Sequence, residues 1–91
     1  MEFKTEQNRI YIENEQGKTI AEVTFPKVSD DVVVIDHTFV DRSLRGHGIA
    51  CKLLTEAAEN LRNTNRKAKA TCSYACDWFD EHDEYSDIYI K

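Results

Sequence analysis

Proline, glycine and long apolar runs are scarce in this sequence. One proline and three glycines in 91 residues leave little of the chain for irregular loops, so regular secondary structure is expected throughout. No apolar run approaches the length of a membrane span, and residues 1–6 lack the basic-then-apolar pattern of a signal peptide. These absences predict a cytoplasmic protein that does not contact a membrane.

Cysteine occurs in an odd number, three, so at least one thiol must be free. Because the sequence shows no export signal, a disulfide framework is not expected. The spacing of Cys72, Cys76 and His82 is not a zinc pattern, and no fourth ligand accompanies them. We therefore expect no metal site.

The length of the chain fits one domain over residues 1–91, with 41% hydrophobic and 32% charged residues, as in soluble globular proteins. The net charge of −5 is unevenly distributed, because residues 42–69 hold seven of the twelve basic residues and only two of the seventeen acidic ones. A basic middle suits a phosphorylated ligand, whereas the acidic remainder argues against nucleic acid as a partner. The bases of residues 62–69 could equally belong to a solvated helix end.

The apolar pattern predicts an α/β fold with a mixed sheet and the order β-β-β-α-β-α. Residues 8–14 and 18–25 alternate as the two strands of a hairpin, and residues 32–40 begin with an apolar run that indicates a central strand buried on both faces. Apolar residues at helical spacing predict a helix over 49–61. Residues 67–72 should then return as a strand parallel to the third, through a right-handed crossover.

The C-terminal part of the pattern is shorter and less regular. Residues 73–82 are typical of a second helix, with four side chains expected to pack against the sheet: Tyr74, Ala75, Trp78 and Phe79. Residues 85–90 could add a short final strand or lie against the sheet.

A glycine-bearing turn, Arg45-Gly46-His47-Gly48-Ile49-Ala50, joins the third strand to the first helix. Backbone N–H groups at a helix N-terminus lack acceptors, so with the helix dipole they form a natural anion site, for which pyrophosphate is the expected occupant. At Gly46 and Gly48 the absence of a Cβ would let phosphate oxygens approach the backbone, and His47 would face solvent or a phosphate. The alternative is a tight turn without a ligand.

These six residues resemble the Q/R-x-x-G-x-G/A signature of the GCN5-related N-acetyltransferases. Residues 35–40 and 71–75 are similar to a subgroup of very short members that keep only the acetyl-CoA-binding half of the fold, and the resemblance covers roughly residues 9–88. It implies that acetyl-CoA is the cofactor and that its pyrophosphate binds at residues 45–50. It also implies that main-chain groups of Phe39 and Val40 pair with the pantetheine arm.

The resemblance further implies a V-shaped gap between the third and fourth strands, in which the acetyl thioester would point toward His37 and Cys72. Acetyl transfer to an amine needs a base, and a cysteine thiolate can also take the acetyl group before passing it on. Cys72 is the candidate nucleophile, and His37 is its candidate base or ion-pair partner. Cys72 could instead be a buried small residue at a strand end, and His37 a histidine with satisfied hydrogen bonds on an inward face.

Two features depart from the family pattern. Arg42 stands where a proline is common, and the chain lacks the N-terminal helices and C-terminal strands that build the acceptor pocket of longer members. We expect an acetyltransferase whose acceptor, an amine or a protein, is unidentified. The rival hypotheses are a catalytically silent CoA-binding module or partner subunit, and an interaction domain without a nucleotide ligand. Exposed sheet edges also allow a homodimer that completes the acceptor pocket.

Overall fold

The computed structural model describes residues 2–91 as two β-sheets and two α-helices. The first sheet is antiparallel with the order β1-β2-β3-β6, where the strands are β1 (Lys4–Glu6), β2 (Arg9–Glu13), β3 (Thr19–Thr24) and β6 (His37–Val40). The second sheet has the order β4-β5-β7, with β4 (Lys27–Ser29), β5 (Val32–Ile35) and β7 (Lys67–Ala70). The helices are α1 (Ile49–Asn63) and α2 (Ser73–Glu81), and short 3₁₀ helices cover Arg42–Leu44 and Asp83–Tyr85.

The predicted hairpin is confirmed as β2 and β3. Ile10 and Ile12 of β2 are paired with Val23 and Ala21 of β3, and all four side chains are buried. Gly17 adopts a φ of 79° in the connecting turn, a value that favours glycine. β1 and β4 were not predicted. Each is a strand of three exposed residues, so neither shows an apolar alternation in the sequence.

The third predicted strand, residues 32–40, is wrong as a single strand, because it divides at Asp36 between the two sheets. Val33 and Ile35 point into the core from β5, and Thr38 and Val40 lie opposite Val23 and Ala21 on the core face of the first sheet. Strict alternation from Ile35 would have turned residue 37 inward. One extra residue is therefore inserted between Ile35 and Thr38, which is a β-bulge.

The expected burial of the third strand on both faces is also wrong. Val32 and Val34 are only half-buried, whereas Val33 and Ile35 are fully buried. The parallel pairing is confirmed, since β5 and β7 lie in register from Val32 opposite Lys67 to Ile35 opposite Ala70. The chain therefore forms a strand–helix–strand unit through α1.

The core is one cluster between the sheets and the two helices. α1 contributes the largest buried set: Ile49, Leu53, Leu54, Ala57, Ala58 and Leu61. α2 buries Ala75, Trp78 and Phe79 as predicted, but Tyr74 is 42% exposed, so its predicted packing in the core is wrong. No helix among residues 2–91 is long and apolar enough to cross a membrane.

The C-terminal segment lies against the core without forming a strand. Tyr85 and Ile88 are buried, and a single parallel bridge joins Tyr89 to Ala68. The segment is held to α1 by polar contacts: the Tyr85 hydroxyl donates to Glu59 Oε2 at 2.7 Å, and Arg62 donates to both carboxylate oxygens of Asp87 at 2.7 and 3.0 Å. The bond to Glu59, together with burial, raises the pKa of Tyr85 to about 12.

Replacing Tyr85 with phenylalanine should lower the free energy of unfolding by about 1 kcal/mol at neutral pH, since a hydrogen bond to a carboxylate is lost. The pKa of Tyr85 is higher in the folded chain than the ordinary value of 10.0, so this contribution is present below pH 10 and disappears as the pH rises through about 12. Urea unfolding followed by circular dichroism across that range measures the difference.

Tyr11→Phe is the matched control, because the Tyr11 hydroxyl donates no hydrogen bond within residues 2–91. At neutral pH its free energy of unfolding should stay close to that of the unmodified protein. A Tyr85→Phe difference that stays constant between pH 10 and 12 would show that the bond to Glu59 does not contribute to stability.

Candidate functional site

The turn before α1 is held open by two glycines in left-handed backbone conformations. Gly46 has a φ of 86° and Gly48, the residue that precedes α1, has a φ of 68°. A Cβ built at either position meets no atom within 4 Å beyond its own chain neighbours, so no distant part of the chain crowds the turn. Glycine is required here by backbone conformation and not by crowding.

In the described part of the chain, the backbone N–H groups of this turn have no protein acceptors. The first bond of α1 runs from the Lys52 N–H to the Gly48 carbonyl at 3.1 Å, and no side chain caps the helix. Within residues 2–91, the N–H groups of residues 46–51 donate to nothing. Together with the positive end of the helix dipole and the exposed cations Arg42, Arg45 and Lys52, they make a site that favours an anion.

The entry to the turn is fixed by Asp41, directly before the position where the family commonly has proline. Its Oδ2 accepts hydrogen bonds from the Ser43 N–H at 3.0 Å and the Ser43 hydroxyl at 2.6 Å, and these bonds lower the pKa of the Asp41 carboxyl. The Asp41 carbonyl accepts from the Leu44 N–H at 2.9 Å. A side-chain cap thus restrains the turn at Arg42 where a proline ring would otherwise do so.

A cavity of about 200 Å³ connects the turn to the end of β6 and to α2. Its lining includes Val40, Gly46, Gly48, Cys51 and Tyr74, so Tyr74 is exposed over this cavity instead of being packed in the core. Partial burial there raises the pKa of Tyr74. His47 is exposed and does not line the cavity.

α2 is tied to the first turn of α1 by an unusual donor and acceptor pair. The indole N–H of Trp78 donates to the thiol sulfur of Cys51 at 3.2 Å. Trp78 also stacks on His82, with ring centroids 4.1 Å apart. The position of Tyr74, one turn earlier on α2, is therefore coupled to the helix end that carries the free N–H groups.

β6 offers an unpaired edge beside this cavity. It pairs with β3 on one side, and no strand among residues 2–91 occupies the other side. The Asp41 N–H donates to the Ile20 carbonyl at 2.8 Å, and this bond shows which residues of β6 direct their main-chain groups toward β3. By alternation the main-chain groups of Phe39 point to β3, while those of Thr38 and Val40 point to the open edge.

The two sheets part after Ile35, and the opening beyond this residue between β6 and β7 is the gap. The Ile35 carbonyl accepts from the Thr71 N–H at 3.0 Å and the Cys72 N–H at 3.3 Å, immediately after the last paired residues of β5 and β7. Beyond this point β6 joins the first sheet and α2 begins at Ser73. Cys72 therefore lies at the closed end of the gap, half-buried.

The structure does not pair Cys72 with His37. The Cys72 thiol contacts the Thr38 hydroxyl, with Sγ and Oγ1 3.7 Å apart, on the core face of β6. His37 lies on the outer face, where its Nε2 is 3.7 Å from Oε1 of Glu22 on β3. Sequence reasoning missed Thr38 and Glu22 because a strand without a bulge would have placed His37 on the side of Cys72.

The outer face of both sheets near the gap is open. Phe39 is 37% exposed and Val28 is 57% exposed, which is unusual for large apolar side chains. A groove of about 490 Å³, lined in part by Val34, Ala70 and Thr71, runs along this face to the point where β5 and β7 part. Within residues 2–91, no group of three or more His, Cys, Asp or Glu side chains is arranged to hold a metal ion.

The fold and the glycine turn define a class of protein. The family model described as GCN5-related N-acetyl-transferase matches residues 9–88, and the chain belongs to this family. The solution structure of a GCN5-like protein from Staphylococcus aureus is 36% identical, with a TM-score of 0.81, and the match covers 98% of this chain and 87% of that one. No curated protein is significantly similar in sequence.

Two longer proteins that were solved in complex with CoA share the fold of this chain. A GNAT family N-acetyltransferase from Escherichia coli, solved in complex with CoA, is 24% identical with a TM-score of 0.56, and the match covers 64% of this chain. A Mycobacterium tuberculosis protein, also in complex with CoA, is 18% identical with a TM-score of 0.60 over 85% of this chain. The matched regions span 35% and 48% of these two proteins.

Proposed function

We propose that this protein binds acetyl-CoA and transfers its acetyl group to an amine. The observation that carries the proposal is the turn at residues 46–51, where successive backbone N–H groups without acceptors stand at the N-terminus of α1. A pyrophosphate supplies the oxygens that such donors need. Two proteins of the same fold contain CoA, which supports this choice of anion.

The neighbouring elements support a place for the remaining parts of the cofactor. The pantetheine arm carries amide groups, and the open edge of β6 presents main-chain groups of Thr38 and Val40 that would pair with them as an added strand does. The cavity under Tyr74 joins the turn to this edge. The thioester would then reach the closed end of the gap at Cys72.

The proposed chemistry is the attack of a neutral amine on the thioester carbonyl. The new C–N bond forms, the C–S bond to CoA breaks, the CoA thiolate leaves and the proton of the amine passes to a base. His37 is the candidate base. Its side chain is 53% exposed on the open outer face, where an acceptor has access.

Cys72 offers a second route for the acetyl group. Its thiolate would attack the thioester carbonyl, release CoA and hold the acetyl group as a thioester until an amine takes it. The position of the thiol at the closed end of the gap supports this step. His37 lies on the opposite face of β6, so the cysteine proton would pass to solvent in this route.

Gly48→Ala should weaken CoA binding more than tenfold, because a Cβ would stand between the phosphate oxygens and the free N–H groups. Gly17→Ala is the matched control. Gly17 has a φ of 79°, its Cβ would also meet open space, and it lies in the distant hairpin turn. Both variants should lose similar stability from the positive φ, and isothermal titration with CoA should separate them. Equal affinities would contradict the proposed site.

Cys72→Ala should keep CoA binding and lose any acetylated form of the protein after exposure to acetyl-CoA. Intact-mass measurement would detect one added acetyl group in the unmodified chain. Cys76→Ala is the control, because its sulfur lies one helical turn away and contacts the Ala70 carbonyl at 3.4 Å. An acetyl group on the Cys72→Ala variant would exclude Cys72 as the carrier.

Release of CoA thiol in the presence of acetyl-CoA and a panel of primary amines tests the activity itself. We expect thiol release above the rate without protein. His37→Ala should lower the rate of release about a hundredfold, which is a usual contribution of a general base, and should leave the affinity for CoA unchanged. Normal CoA binding without any thiol release would instead identify a catalytically silent CoA-binding module.

A further inference from the structure

A row of charged side chains crosses the outer face of the first sheet and ends at His37. Glu22 of β3 directs Oε1 toward His37 Nε2 at 3.7 Å, and its other oxygen is ion-paired with the Arg9 guanidinium of β2. Glu22 is only 20% exposed at its side chain, although it lies on the open face. Because one oxygen of this partly buried carboxylate is held by Arg9, the other oxygen keeps a fixed orientation toward the imidazole.

Arg9 is itself held in place from three sides. Its guanidinium donates to the Thr19 hydroxyl at 3.1 Å, lies 3.7 Å from the centroid of the Tyr11 ring and is 3.8 Å from a carboxylate oxygen of Glu6. Planar guanidinium groups that stack and bind carboxylates lose little freedom, so they hold a carboxylate more firmly than a lysine would. Arg9 thus fixes the rotamer of Glu22.

The net charge of the row is opposite in sign to the charge that His37 would acquire as a base. Glu6, Arg9 and Glu22 together carry one net negative charge while His37 is neutral, and the row becomes neutral when His37 takes a proton. The nearby Asp36 carboxylate accepts from the Thr24 hydroxyl at 2.6 Å and adds negative potential. A carboxylate beside an imidazole stabilises the imidazolium that forms when the ring accepts a proton.

We propose that Glu22 is a positioning residue that orients His37 and stabilises its protonated form during acetyl transfer, with Arg9 holding the carboxylate. This inference rests on the proposed function. Glu22 touches neither cofactor nor acceptor in this arrangement, so all of its effect on turnover has to pass through His37. The acceptor is then an amine that approaches from the outer face, on the side opposite Cys72.

The test is a double-mutant cycle in the thiol-release assay, with acetyl-CoA and the most active amine of the panel, and with water as the acceptor in parallel. Glu22→Gln keeps the size of the side chain and should lower kcat about tenfold, with the KM for acetyl-CoA unchanged. Combined with His37→Ala, it should cause no further loss. Glu22→Asp should restore part of kcat.

Glu13→Gln is the matched control, because Glu13 lies in the same sheet and forms an ion pair with Lys4 at 2.8 Å, but does not face His37. It should leave kcat unchanged. Isothermal titration with CoA confirms that each variant keeps the cofactor site intact.

The other outcomes separate the inference from the proposed function. Glu22→Gln with normal kcat overturns the positioning role and leaves the acetyltransferase proposal standing. An equal loss in the His37→Ala background shows that Glu22 acts elsewhere, which also overturns the inference. An unmodified protein that binds CoA but releases no thiol overturns the proposed function, and the inference with it.

Discussion

The arrangement of the site depends on one carbonyl group, that of Ile35. It accepts the N–H groups of Thr71 and Cys72 at the end of the paired stretch of β5 and β7, and within residues 2–91 no further pairing between these two strands follows. The bulge at Asp36 then diverts the chain into the first sheet. The gap, the open edge of β6 and the position of Cys72 all follow from this separation of the sheets.

Much of the fold could be predicted because its signals are periodic. Alternation predicted the hairpin, helical spacing predicted α1 and α2, and the rule for crossovers predicted the parallel return of β7. The structure confirms all of these elements. The short strands β1 and β4 have no such signal. The final segment was predicted as a possible strand, but its buried residues, Tyr85 and Ile88, are three apart, a spacing that one face of a strand does not allow.

The site was harder to predict than the fold, for a physical reason. The glycine turn is local in sequence, and its free N–H groups follow directly from the start of a helix. The face of His37 depends instead on a bulge of one residue between Ile35 and Thr38, and such an insertion reverses every side chain that follows it in the strand. Glu22 is distant in sequence and becomes a neighbour of His37 only through strand pairing.

The contact between Trp78 and Cys51 gives the protein an internal optical reporter. The sequence contains one tryptophan, and its indole N–H is bonded to a thiol in the first turn of α1, the turn that carries the free N–H groups. Indole emission responds to its hydrogen-bond partner and to nearby charge. An anion that settles on the turn therefore changes the surroundings of the single fluorophore, so occupancy of the site can be followed without a label.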